Sequence, residues 1–170
     1  MDDNNAQTLG QREIVNTLDR EFARLYSQSR AVIEQTPAEI LYAIPARTAP
    51  GSLRSIGENV LRSAAAIEQT FGGITSNLWD DPFEWTLPEY LSTPAKVTHH
   101  LEEVEATRKQ AFSSFTDDLC LRKHIPMPTG DTKPLIALLL ETLVRAVDYQ
   151  AQAVVSLKIL SGISPPGFII

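Results

Sequence analysis

The sequence predicts an all-α protein, an up-down antiparallel bundle of four long helices. Apolar residues recur at three- and four-residue steps in four separate stretches, and no stretch shows the sustained alternation between hairpin turns that a sheet needs. Size supports the same reading. A chain of 170 residues buries roughly 70% of the surface it exposes when unfolded, enough for one core without staples. The helices are expected over about 9–35, 55–78, 93–117 and 133–161, within a single domain spanning 1–170. Four helices of similar length joined by loops of moderate length pack as a bundle, and facing helices can build a site in it.

The first helix opens at Thr8 and Gln11, spaced as a capping box in which hydroxyl and amide each satisfy an orphan backbone N–H. Its stripe of Ile14, Leu18, Phe22, Leu25 and Val32 keeps one face on the core until Thr36-Pro37, where proline disfavours a preceding α conformation. Thr36 and Glu39 are spaced to cap a short turn, and residues 44–52 read as a connecting loop. The second helix starts at Ser55, three residues before Glu58, and carries Ile56, Val60, Ile67, Phe71, Ile74 and Leu78 along one stripe. Gly72-Gly73 weaken that pattern by up to ~1 kcal/mol each, which predicts a kink. Residues 79–91 mix aromatics with prolines, too long for a tight turn and too apolar for a free linker. They are expected to pack over one end of the bundle, with Phe83 and Trp85 either sealing it or covering a ligand.

The third helix begins at Ser92-Thr93-Pro94, with proline in the first turn where its missing N–H costs nothing, and Val97, Leu101, Val104, Ala111 and Phe115 form its inner stripe. After a loop over 121–131, Thr132 and Pro134 open the last helix, which Gly162 and Pro165-Pro166 close. Ile136, Leu139, Leu140, Leu143, Val147, Val154 and Leu157 give that helix a broad apolar face and make it the central packing element.

Charge and cysteine usage exclude several classes of function. The net charge is -6, which repels a phosphate backbone, and the basic residues are not gathered on one face, so nucleic acid is not an expected partner. The N-terminus, MDDNNAQTLGQRE, is acidic and polar where a secretory signal is basic and then apolar, and no apolar run approaches a membrane span. Cys120 is the single cysteine, so no intrachain disulfide forms, and a reducing, cytoplasmic compartment is the expectation. With Arg122 and Lys123 following it, Cys120 reads either as a small packed residue or as a modestly activated thiol.

The phrase SIGENVLRSAAAIEQ at 55–69 resembles the second helix of the DinB-like superfamily, a damage-inducible and thiol-transferase-related group of four-helix bundles, and VRAVDYQAQAVVSLKILSGISPP at 144–166 resembles its last helix. The resemblance extends over nearly the whole chain. It implies a metal held by one histidine of helix two and two of helix four, four residues apart. Here Arg62, Arg145 and Tyr149 stand at those positions. Guanidinium has no lone pair to give, and a phenol ligates only after losing a proton near pH 10. The resemblance therefore implies a member without the metal and with no other cofactor. The histidines do not restore a site: His99 and His100 are ~100° apart on one helix, so only one faces inward, and His124 lies in a proline-rich loop.

Glu141, Arg145, Asp148, Tyr149, Gln152 and Ser156 fall along one side of the last helix as a polar seam. It is either a solvated face with Glu141 and Arg145 as an i,i+4 pair, or the wall of the former metal pocket with Arg62 reaching across. In the second case Arg62, Arg145 and Tyr149, with Glu141 and Asp148, suit a carboxylate or phosphate on a small molecule. In a third arrangement Glu58, Glu141 or Asp148 neutralises the arginines internally. The functional expectation is a non-catalytic ligand-binding or interaction module, homodimeric as the resemblance implies. Its rivals are a metal-dependent thiol-transferase-like enzyme and a structural or stress-associated dimeric partner protein.

Overall fold

A computed structural model describes residues 11–45, 53–85 and 89–165, the side chains at 84 and 85 excepted. The chain is mostly helical. Its long helices are α1 (Glu13–Glu34), α2 (Ile56–Ser76), α3 (Pro94–Ser114) and α4 (Leu135–Ser161), with short 3-10 helices at Ala38–Ile40, Pro82–Trp85 and Asp118–Arg122. None of the described helices is long and apolar enough to cross a membrane. The all-α expectation holds, with one addition. Residues β1 (His124–Pro126) and β2 (Thr132–Pro134) form an antiparallel hairpin, so Thr132 and Pro134 belong to a strand and not to the opening turn of α4. Its turn is fixed by Met127 N–H donating to Asp131 O at 2.8 Å and by Gly130 at φ 87°. Strands of three residues are too short to show alternation in a sequence.

Side-chain pairings set the helix directions. Ser63 Oγ donates to Ala146 O, the Thr70 and Thr142 hydroxyls meet at 2.6 Å, and Ser156 Oγ donates to Arg54 O, so α2 and α4 run antiparallel. Arg12 donates to Phe112 O, Arg108 pairs with Asp19, and Arg30 lies 3.9 Å from Glu102, so α1 and α3 are antiparallel too. Both α1 and α4 start against the Asp118–Arg122 helix, and Gln150 Nε2 donates to Leu25 O and Ser29 Oγ. Thus α1 and α4 run one way and α2 and α3 the other, a correction to strict up-down alternation. The segment after α2 must return along its length. The 21 residues of α2 rise about 32 Å, a distance within the reach of the stretch that joins it to α3.

Its contacts follow that path. Gln69 Nε2 donates to Trp79 O, Arg62 covers the Phe83 ring, and Tyr42, packed on Gly57 at the start of α2, donates to Leu91 O. The described residues of the segment, 77–85 and 89–93, lie along the flank of α2 and not over one end. The lid reading of Trp85 falls on a side chain outside the described residues. The Trp79 ring occupies the space a Cβ at Gly73 would need, so that glycine is there for close approach, and α2 continues through both glycines to Ser76. Leu78, expected on the inner stripe, lies beyond the helix and is exposed.

Caps are local at two helices and remote at a third. Ser55 accepts from Glu58 N–H, as its spacing predicts, and Thr93, just ahead of the first-turn proline, accepts from Lys96 N–H. Thr8 lies outside the described residues, and α1 begins at Glu13, where both carboxylate oxygens of Asp118 accept the N–H groups of Ile14 and Val15 at 3.1 and 2.9 Å. Thr36 donates to Val32 O and caps nothing after it. The core gathers Phe22, Phe71 and Phe112 with ring centroids 5.4 to 5.7 Å apart. Beside it Arg108 is buried between Glu105 and Asp19, a set costly to break singly. On α4 the inner line includes Thr142, Ala146, Gln150 and Ala153, while Leu140 and Val147, expected inside, are exposed. The helix is apolar on more of its circumference than the core uses.

Candidate functional site

Arg62, Arg145 and Tyr149 come together. With Gln69, Asp81 and Phe83 they line a pocket of about 40 Å³ between α2, α4 and the returning segment. Arg62 is half-buried: its Nε donates to Glu58 Oε1 at 3.0 Å and its guanidinium sits 3.9 Å from the Phe83 ring centroid, in cation–π contact. Glu58 also takes Arg54, whose guanidinium lies 5.9 Å from the Tyr149 ring centroid. Of the three expected neutralising carboxylates, Glu58 therefore serves Arg62.

Arg145 is held differently. One of its terminal nitrogens donates to Ala66 O at 3.3 Å and to Gln69 Oε1 at 3.2 Å, and among the described residues no carboxylate pairs with it. The i,i+4 pair with Glu141 does not form, because Lys133 of β2 takes the Glu141 carboxylate at 2.6 Å. Asp148 lies on the open flank of α4 and accepts from Gln152 at 2.9 Å. Ser156, expected in the solvated seam, is fully buried.

Gln69 and Arg145 are shared with a second, larger lobe of about 320 Å³. Its apolar walls are Trp79, Met127, Pro128 and Leu138, its floor is the Thr70–Thr142 pair, and Lys133 and Glu141 stand at its side. Gln69 fixes both lobes at once, since its amide nitrogen holds Trp79 O and its oxygen accepts from Arg145. Sequence reasoning missed this lobe, whose walls come from the hairpin turn and the returning segment. The available signal was Thr142, a polar residue in step with the inner line of α4.

The remaining titratable candidates lie elsewhere. His99 is solvated beside Glu102 and Glu103, and His100 is largely packed, with Nε2 3.8 Å from Glu68 Oε2. Burial raises the Glu68 carboxyl above its ordinary range, against the opposing pull of His100. His124 meets the Thr132 hydroxyl across the hairpin. Cys120 is buried, and that burial pushes its thiol up, which favours the packed residue over the activated thiol. Among the described residues no three His, Cys, Asp or Glu side chains are grouped so as to hold a metal ion. No protein-family model matches this chain, and a search of curated proteins finds no match.

Proposed function

We propose that the chain is a DinB-like four-helix bundle without the family's metal triad, a cytoplasmic, non-catalytic module that binds the carboxylate or phosphate of a small molecule at Arg62 and Arg145. The observation that carries this reading is the unequal treatment of the two arginines that line one pocket. Arg62 is neutralised by Glu58, whereas Arg145 points into the same space with no carboxylate of its own among the described residues. A guanidinium carries five N–H donors, and the two that Arg145 spends on Ala66 and Gln69 fix its orientation while leaving others for an anion. Tyr149, one turn further along α4, lines the same pocket.

NMR titration with phosphate and with acetate tests it. Arg145→Ala should weaken binding about 10- to 100-fold, the range of a charge-assisted hydrogen bond. Arg62→Ala should weaken it less, since Glu58 already draws on that charge. Unchanged affinity in Arg145→Ala would end the reading.

A second reading, self-association as a homodimer, is favoured by a separate observation. Leu140, Val144, Val147 and Val155 of α4 are 46%, 70%, 42% and 40% exposed and fall at three-, four- and eight-residue steps on one outward face.

A further inference from the structure

We infer that the ligand is a monoanionic carboxylate with an aromatic or medium-length aliphatic body, its head on Arg145 and its body in the larger lobe against Trp79, Met127 and Leu138. This rests on the anion-binding reading of Arg145 and names the class of molecule that reading leaves open. Three features of the cleft carry it. The 40 Å³ lobe admits a head group and little more, while the adjoining 320 Å³ lobe falls within the range of small-molecule sites. Arg145 is common to both, so an anion on it places whatever it is attached to in one lobe or the other.

The hydroxyls on the floor of the larger lobe are already spoken for. Thr142 Oγ1 spends its proton on Leu138 O at 2.8 Å, so in the 2.6 Å contact Thr70 is the donor, and neither hydroxyl has a proton left for a ligand. Gln69 is held at both ends by Trp79 and Arg145, and the Lys133 ammonium at the side of the lobe is drawn to Glu141. A polar body would meet no free donor on this floor, whereas an apolar one covers the indole, the thioether and the leucine. The charge count sets the head. Arg54 and Arg62 share the one carboxylate of Glu58, Arg145 has none of its own among the described residues, and Asp81 also lines the small lobe, so three positive charges against two negative leave an excess of one, which suits a carboxylate better than a doubly charged phosphate monoester.

The test is NMR titration of the full chain with acetate, 1-naphthoate and the neutral 1-naphthylmethanol, repeated with Met127→Asp and Pro128→Glu. Both substitutions lie in the turn of the hairpin, away from the core, and far-UV circular dichroism checks that each variant folds. Naphthoate should bind about tenfold or more tightly than acetate, and at least about tenfold more tightly than the alcohol. Either hairpin variant should remove most of the naphthoate advantage and leave acetate within about twofold. If acetate binds through Arg145 but naphthoate gains nothing over it, or gains equally in both variants, the seat for the body is wrong and the anion site stands. If no carboxylate binds at all, both readings fall together.

Discussion

Asp118 decides where α1 begins, from more than a hundred residues away in the chain. Its two carboxylate oxygens accept from the first amides of the helix, Ile14 N–H and Val15 N–H, while its own N–H donates to Gln11 O at 2.6 Å. A carboxylate at a helix N-terminus satisfies orphan donors and meets the positive end of the dipole. Asp118→Ala should therefore destabilise the protein by about 1–2 kcal/mol in urea denaturation, with Asp118→Asn retaining much of that because one oxygen still accepts. A loss below about 0.3 kcal/mol for the alanine variant would mean the cap contributes nothing. The contrast with Ser55 and Thr93 shows what a sequence can and cannot reveal at this scale. Those starts are legible because Glu58 follows Ser55 by three residues and Pro94 stands in the first turn after Thr93. The Asp118 cap depends on α3 ending beside the start of α1, a tertiary fact that no local spacing carries.

Among the elements, the turn after α1 joins three helices. Leu41 O accepts Gly57 N–H at 2.8 Å, Tyr42 packs where a Cβ at Gly57 would stand, and the Tyr42 hydroxyl donates to Leu91 O at 2.6 Å just before α3. Burial, with Glu89 adding to it, pushes the Tyr42 phenol up to about 12. A proton held more tightly in the fold than in the unfolded chain contributes stability in full below about pH 10, and that contribution is lost as pH rises toward 12. Ultraviolet titration of phenolate should show one late-ionising tyrosine among the 4 of the chain. Tyr42→Phe should abolish the late step, and a titration with no late step in the parent protein would contradict the buried phenol. The same scale separates what was legible in the site. Arg62, Arg145 and Tyr149 were found because the resemblance set them at the positions of the absent metal ligands, and helical spacing then puts Arg145 and Tyr149 on one face of α4. The larger lobe was not, because it exists only once the direction of residues 77–93 is known, and that direction follows from α2 and α3 being parallel.

For the whole molecule, the apolar character of α4 exceeds what its own core consumes. The inner line takes Leu139, Val154 and Leu157 together with Thr142, Ala146 and Gln150, which leaves Leu140, Val144, Val147, Ala151 and Val155 on the outside for about four turns. Steps of three and four along such a stripe match the spacing with which one helix receives another, and the same stripe on a second copy is self-complementary under a twofold axis. Val144, at 70% exposed, touches little of its own chain, so Val144→Glu should change folding stability by no more than about 0.5 kcal/mol. In a dimer built on this face the same substitution buries two unpaired carboxylates near the axis. Sedimentation velocity should find the parent chain dimeric, and Val144→Glu should raise the dissociation constant about 30-fold or more with helical content unchanged. A parent chain that sediments as a monomer, or a variant that dimerises as well as its parent, would remove this face as the contact. Arg145 and Tyr149 lie away from the stripe toward α2, so the monomeric variant should still bind acetate with parental affinity, and a loss there would couple the dimer to the pocket.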